Sequence, residues 1–457
     1  MTFDVAVIGG GVVGCAILRR LALGGAHCVL LEKGFDIVSG SSKGNGGLLH
    51  TGFDAPARSI ELECMQAGYR EYLGIRESLN LPLIETGGLV VAWGDDDAVK
   101  LPGIVTRAHA NGVSDVRMVD PAELYEREPK LAPGALGAVF VPGEHVIDAW
   151  SAPLAEALQA LAHGATIRRG SEVEGGEREQ DHWVLATATG EITARVVVNA
   201  AGLYGDQIES IVRRPRLRIR PGKGQFVVFD KPASTLIRSI ILPVRTASAN
   251  TVLLARTAYG NLIAGSPAED TQERNAPALD HDRLVHLAEQ ARARVPALAA
   301  HSIIGAYAGL YPATQYRDYL IDALPDRGWI TACGIRSTGL TAALGIAQRV
   351  ADLYARHFGA LDAAAMPIAT PVPNLSEDRP RRFQEPDAGE IVCPCELVTR
   401  HEIEGALAGP LPAGDLGGLQ RRTRCGLGHC QGAQCSWRVA QLAAGRLADV
   451  PPAELVR

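Results

Sequence analysis

The sequence predicts an α/β fold: a parallel sheet wound with helices, interrupted by α+β segments, and followed by a small helical unit. Three observations carry this expectation. An unbroken apolar strand pattern at residues 3–8 runs into closely spaced glycines and then a helical pattern. Alternating strand patterns of a different texture recur far downstream, at 216–220 and 225–229. Five of the nine cysteines crowd together beyond residue 392, behind a stretch rich in proline and charge.

A chain of 457 residues is too long for one compact core and suggests two or three domains, and 47% apolar residues are enough to bury them. The net charge of -6 and the 5% aromatic content argue against a nucleic-acid binder, which would show a basic face and stacking surface. No charged segment precedes an apolar one at the start, and no apolar run approaches the ~18 residues of a spanning helix. The expected location is cytoplasmic, with peripheral contact to the inner face of the membrane left open. Cys15, Cys28, Cys64 and Cys333 are scattered through apolar surroundings and read as core residues. A disulfide framework would be distributed differently.

Phe3–Ile8 reads as a buried parallel strand entering Gly9-Gly10-Gly11-Val12-Val13-Gly14 and a helix through Ala22. Gly9 permits the tight turn, Gly11 lets backbone approach a pyrophosphate, and Gly14 lets helix and strand pack closely. The helix start then offers free N–H groups to phosphate. A second strand, Cys28–Leu31, ends at Glu32, whose carboxylate suits ribose hydroxyls and repels a 2′-phosphate. Strand, glycines, helix, strand and acid together define a Rossmann-type dinucleotide site.

A second small-residue loop follows, Ser39-Gly-Ser41-Ser42-Lys-Gly-Asn45-Gly46-Gly47-Leu48-Leu-His50-Thr-Gly52, for which a nicotinamide enzyme has no need. This loop resembles the flavin-contacting loop of the glycerol-3-phosphate dehydrogenase and D-amino-acid oxidase superfamily of FAD enzymes. The resemblance recurs at Val196-Val-Val-Asn-Ala-Ala201-Gly202 and at Trp329-Ile-Thr-Ala-Cys-Gly334-Ile-Arg336-Ser-Thr-Gly339-Leu340, and it covers most of residues 1–365. It implies bound FAD, contacted by Gly9, Gly11, Gly14, Glu32, Ser41, Ser42, Asn45, Gly46, Gly47, Leu48, Ala201, Gly202, Gly334, Gly339 and Leu340. The last helix start would favour electron density on the reduced ring.

On the substrate side, Gly309–Tyr319 resembles the family segment that supplies substrate ligands. The resemblance implies that Arg317 and Arg336 hold the substrate anion and that Tyr311 assists, a guanidinium being the natural partner of carboxylate or phosphate. The bland alternative pairs Arg317 only with Asp318 or another surface acid. His50 has two readings: the base that takes the substrate's proton, or a structural hydrogen-bond donor to the ring. Glycerol-3-phosphate dehydrogenases usually carry an arginine where Tyr311 stands and a histidine near Lys223-Gly-Gln225. Their loss moves the expectation toward a small 2-hydroxy acid, amino acid or imino acid without excluding a polyol phosphate. The arginines at 213–220 read as an exposed strand face, or alternatively as a docking or anionic-membrane surface.

Residues 366–390 read as an extended tether. Beyond it, Thr399-Arg-His-Glu402 is a capping box opening a helix, and 416–424 and 436–447 read as further helices. Cys393-Pro-Cys395 and Cys430-Gln-Gly-Ala-Gln-Cys435, with the arginines at 421–424, resemble the bacterioferritin-associated-ferredoxin-like domain that also ends the large subunit of anaerobic glycerol-3-phosphate dehydrogenases. The resemblance implies a [2Fe-2S] cluster on Cys393, Cys395, Cys430 and Cys435. Structural zinc is the alternative, though it usually prefers C-x2-C knuckles. Cys425 repeats the same spacing to Cys430 and competes as a ligand.

The full expectation is a Rossmann-type FAD-binding domain (1–75, 140–210, 325–365) interleaved with an α+β substrate domain (76–139, 211–324), then a linker (366–390) and a small helical iron-sulfur domain (391–457). The expected activity is an FAD-dependent dehydrogenase oxidising a small anionic hydroxy compound by hydride transfer. Its electrons would leave through the cluster to a quinone, a ferredoxin-like protein or a partner subunit. Two alternatives stand beside it: an amino or imino acid dehydrogenase, and a non-catalytic electron-transfer subunit. Oligomeric state is left open.

Overall fold

The computed structural model describes residues 2–244, 251–266, 268–362 and 366–451. The predicted boundaries at 365 and 457 fall outside them. The strand Thr2–Ile8 lies at the centre of an eight-stranded sheet, with Gly190–Asn199 on one side and Cys28–Leu31 on the other, all parallel. Trp329–Cys333 continues the parallel set beyond Gly190–Asn199, and Thr166–Arg168 continues it beyond Cys28–Leu31. Alternation explains the near-continuous apolar sequence of the central strand: Val5 and Val7 face one apolar core, Ala6 and Ile8 the other. Val12–Leu23, Ile60–Ile75, Ser151–Ala162 and Gly339–His357 are the helices that contribute to the first core. The second is closed by an antiparallel meander, through Trp183, Leu185 and Ile192.

The second sheet has nine strands, mostly antiparallel, drawn from residues 88–141 and 219–314 as the interleaved domain requires. Its longest pairing joins Ile219–Phe229 to Ile303–Thr314. Two expectations are corrected here. The strand expected at 216–220 begins only at Ile219, because Arg213 and Arg216 turn aside to meet Asp322 and Glu209. Leu320–Leu324, expected in the substrate domain, pairs with Trp329–Cys333 and belongs to the FAD-type sheet.

Residues 366–390 are extended as expected, but they form a packed strap rather than a tether. Val372 is buried in the main core and its N–H donates to the Leu79 carbonyl (3.1 Å). The Ser376 hydroxyl donates to the Ala258 carbonyl (3.0 Å), and Arg379 donates to Asn80 (3.0 Å). The strap leads to the C-terminal unit, where Thr399 and Glu402 form the predicted capping box on the helix Arg400–Ala406. Leu416–Thr423 and Ser436–Ala443 are the two further helices, the second ending four residues short of its predicted limit. No helix among the described residues is long and apolar enough to cross a membrane.

Between the helices Val12–Leu23 and Ser151–Ala162, Glu156 is buried with one carboxylate oxygen lacking a hydrogen-bond partner among the described residues. Burial raises its pKa to about 8, against the pull of Arg19. A carboxyl that stays protonated in the fold contributes stability that is complete below its unfolded value near 4.5 and is lost as pH rises toward 8. Glu156→Gln is expected to raise the thermal midpoint at pH 8, to leave it nearly unchanged at pH 5, and so to flatten the pH dependence measured by calorimetry.

Candidate active site

The glycine-rich turn is built as its sequence requires. Gly9 sits at φ 107, and a Cβ there would lie 2.5 Å from the Ala200 carbonyl oxygen. A Cβ on Gly14 would lie 1.8 Å from the Gly9 carbonyl oxygen, so helix and strand meet at backbone distance. Gly11, the residue that opens the helix, offers no side chain to cap it, and of the first N–H groups that of Val12 is met by Ser42 from the second loop. Glu32 accepts from the N–H of Gly10 (2.7 Å) and of Gly34 (2.6 Å), which fixes its carboxylate beside this turn. Oε1 also accepts from the Ser39 hydroxyl (3.4 Å), and Oε2 keeps a second lone pair for a ribose hydroxyl. Ala200 and Ala201, at the end of the neighbouring parallel strand, border Gly9, and Gly202 follows them at the start of a short 3-10 turn.

The second loop closes over this turn. Ser42 accepts from the Val12 N–H (3.1 Å), whereas the Ser41 hydroxyl is buried with no partner among the described residues. A buried hydroxyl without a partner beside a phosphate-type turn is what a bound dinucleotide would satisfy. Asn45 accepts from the Gly47 N–H (2.8 Å), and Gly46 lies beside Ile263. The strand Leu48–Leu49 then reaches the start of the helix Gly339–His357, where Thr341 donates to the Leu48 carbonyl (3.3 Å) and accepts from the His50 N–H (3.1 Å). Leu340 packs against the main core, and Gly334 (φ 70) turns the chain beside Thr314. The residues expected to hold FAD thus lie on or beside the glycine turn, on the loop that contacts it, and around the start of the helix Gly339–His357.

His50 is placed by register. Leu49 pairs with His145 across antiparallel strands, so the next residue, His50, stands opposite Glu144. Their side chains meet at 2.5 Å through Nδ1 and Oε2. Glu144 is fully buried and also accepts from the Thr51 N–H (2.7 Å) and hydroxyl (2.9 Å). A carboxylate so bonded has only lone pairs to offer, so Nδ1 carries the proton and Nε2 presents the acceptor. Glu144 escaped the sequence reading; its one signal is an acid set between two apolar strand patterns.

The anion side is assembled less completely. Arg317 is exposed on the turn after Ile303–Thr314 and forms no ion pair among the described residues. The alternative pairing with Asp318 does not occur, because that carboxylate accepts from the N–H groups of Ile60 and Glu61 at a helix start. Arg336 is ion-paired with the buried Glu61, which also accepts from Thr338 (2.7 Å). Tyr311 alternates on its strand with Tyr307 and Gly309, which touch the flavin-type loop at Asn45 and Gly44, and its ring lies across Gly222. A cleft of about 580 Å³ lined by Asp95, Asp96, Asp97, Lys100 and Arg294 contains none of these residues.

The C-terminal cysteines converge in two pairs. The Cys395 thiol hydrogen-bonds with Cys430, and that of Cys435 with Cys393. Cys393 Sγ also accepts from the Gly426 N–H (3.5 Å). The Cys430 thiol is held below its ordinary pKa, first by the Gln434 N–H and then by its partner and further loop amides. Cys425 is buried, bonded to Thr423, and pushed up to about 11 by burial. Among the described residues, no three or more Cys, His, Asp or Glu side chains are grouped to hold a metal ion.

A glycine turn at the C-terminal end of a central parallel strand, a second loop bonded to it, and a histidine at the end of that loop fixed by a buried carboxylate fit an oxidoreductase of flavoenzyme type. Residues 4–353 match the profile described as FAD dependent oxidoreductase, and the chain belongs to that family. It is 30% identical to a glycerol 3-phosphate dehydrogenase of Caloramator mitchellensis, over 97% of this chain and 94% of that one. It is 28% identical to one of the subunits of the anaerobic glycerol-3-phosphate dehydrogenase of Escherichia coli K12, over 96% of this chain and 87% of the relative. Among solved structures, the FAD-bound, dithionite-reduced L-alpha-glycerophosphate oxidase of Mycoplasma pneumoniae superposes with a TM-score of 0.75 at 22% identity, covering 81% of this chain and 98% of the other. The protein is therefore an FAD-dependent oxidoreductase resembling glycerol-3-phosphate dehydrogenases and oxidases.

Two substitutions test the geometry. Gly14→Ala is expected to yield protein without bound flavin, read from its visible spectrum. Glu144→Gln should retain flavin but slow its anaerobic reduction by substrate roughly 100-fold, because the imidazole loses the partner that sets its tautomer.

Proposed function

We propose that this chain is a dehydrogenase for a small anionic hydroxy compound, with glycerol 3-phosphate as the first candidate, and that its electrons leave through a [2Fe-2S] cluster held by Cys393, Cys395, Cys430 and Cys435. The acceptor would be a quinone, a ferredoxin-like protein or a partner subunit. The observation that carries the reading is the His50–Glu144 pair beside the FAD cradle. Oxidising a secondary alcohol requires a base for the hydroxyl proton, and an imidazole with Nδ1 bound to a buried carboxylate presents Nε2 for that task. Arg317 would meet the anion, with Tyr311 assisting from the strand that borders the flavin loop. Arg336, engaged by Glu61, would act through a guanidinium edge not used in that pair, or would only brace the helix start. When bound, FAD supplies the two-electron acceptor and the cluster a one-electron carrier.

What supports glycerol 3-phosphate is the activity for which the relatives spanning nearly the whole chain are named. A 2-hydroxy carboxylate is the second reading, favoured by the engagement of Arg336, since a monocarboxylate needs fewer cations than a phosphate dianion. What supports the cluster is the resemblance of the Cys393-Pro-Cys395 and Cys430-x4-Cys435 spacing to ferredoxin-like domains, together with the approach of Cys395 to Cys430 and of Cys435 to Cys393.

Anaerobic addition of glycerol 3-phosphate, 2-hydroxyglutarate, lactate, hydroxyproline and D-amino acids to the purified enzyme, followed at the flavin absorbance, decides the substrate. Bleaching by glycerol 3-phosphate is expected. Bleaching by a hydroxy acid alone would transfer the assignment to that class, and bleaching by none would favour a non-catalytic electron-transfer subunit. Cys430→Ser is expected to remove bound iron and the cluster's visible absorbance while leaving flavin content unchanged. Zinc without iron in the parent protein would refute the cluster.

A further inference from the structure

The unit that carries the cysteines touches the flavin loop through a run of stacked side chains. Trp150 donates from Nε1 to the Lys43 carbonyl, within the Ser41–Gly44 turn (3.2 Å). Its indole stacks on Tyr259, with ring centres 5.1 Å apart and planes 23° from parallel. The guanidinium carbon of Arg424 lies 4.0 Å from the centre of the Tyr259 ring, and Arg424 Nε donates to Glu396 (3.0 Å). Glu396 follows Cys395 and Arg424 precedes Cys425, so the stack ends on the cysteine loops themselves. Buried Asp148 fixes the middle, accepting from the Trp150 N–H (2.8 Å) and from the Tyr259 hydroxyl.

Arg424 ends the helix Leu416–Thr423 in the left-handed region at φ 67, its N–H donating to the Gln420 carbonyl (2.7 Å). Buried at that cap, its guanidinium is held between the Tyr259 ring and the Glu396 carboxylate. A second contact runs parallel to the first. The Gln431 side chain lies against Gly305, on the strand whose Tyr307 hydroxyl donates to the Asn45 carbonyl (3.3 Å).

We infer that Trp150, Tyr259 and Arg424 are positioning residues that hold the cysteine loops in a fixed place against the flavin loop, so that electrons cross a permanent contact rather than a swinging domain. The inference rests on the cluster assignment made above. With both groups bound, FAD would supply the two-electron acceptor and the cluster a one-electron carrier, the substrate's two electrons leaving singly to a quinone or one-electron protein acceptor and the flavin's proton going to solvent.

The test compares Tyr259→Leu with Tyr259→Phe in the full-length holoenzyme. The Leu variant removes the ring, whereas the Phe variant keeps it and loses only the hydroxyl. Tyr259→Leu is expected to speed amide hydrogen exchange across residues 424–435 about tenfold, the opening that loss of one desolvated cation–π contact permits. It should slow cluster reduction by substrate-reduced flavin by a similar factor, with flavin bleaching itself unchanged. Tyr259→Phe should behave as the parent in both measurements. Unchanged exchange and transfer in Tyr259→Leu would overturn the proposal, as would equal loss of flavin bleaching, which marks a general structural defect. If Tyr259→Leu does not retain flavin, Arg424→Lys supplies the same comparison, because lysine keeps the charge but not the planar stack. A protein without iron would sink the cluster assignment, while the exchange comparison would still decide whether the stack fixes the loops.

Discussion

Backbone meeting backbone at near-contact distance is the constraint on which the site depends. At Gly9 and Gly14 the first helix is drawn onto the central strand, and at Gly44 and Gly309 the flavin loop is drawn onto the second sheet, where a Cβ on Gly309 would lie 2.2 Å from the Gly44 carbonyl oxygen. Together the two approaches clamp residues 41–52 between the domains. A side chain at any of these positions would push apart elements whose relative placement determines what His50, Tyr311 and the Ser41 hydroxyl can reach. The fold accordingly places its glycines where the two sheets approach the same loop.

The polar groups follow the same logic at longer range. Glu144 lies 94 residues from His50 in sequence and meets it only because the strands carrying them pair in one register. A slip of one residue would turn His50 to the opposite face. Glu61 likewise binds Arg336 and Thr338 from a helix whose own start is capped by Asp318, so the anion side and the last helix start are braced together. Oxidoreductase chemistry at this site therefore relies on pairings that a local reading of the chain does not contain.

That distinction explains what could be read from the chain alone. The strand, glycine turn, helix and Glu32 were legible because each is a short-range demand of backbone geometry, and the interleaving of two domains was legible from the change in strand texture. Thr399 and Glu402 were legible because a capping box spans only three residues. Glu144 and Glu61 were not, because an acid's partner is set by tertiary approach. The strap at 366–390 was misjudged for a related reason. Proline-rich sequence predicts extension correctly, but whether an extended segment is solvated or packed depends on what lies beneath it, here Leu79, Asn80 and Ala258.

Asp36 lies between Glu32 and the flavin loop, and it is fully buried in a two-point pair with Arg422, 386 residues away in the C-terminal unit. Buried ion pairs of this kind add little net stability, yet losing one member is costly: without Asp36 the Arg422 charge would be stranded, and without Arg422 the carboxylate would keep only the longer ion pair with Arg169 (3.6 Å). Such a pair acts as a key rather than as glue: it admits one docking orientation and penalises all others. The C-terminal unit is therefore not an interchangeable module. A homologous cysteine domain grafted onto this body would have to bring its own arginine to Asp36, so the two halves are bound to change in concert over evolutionary time.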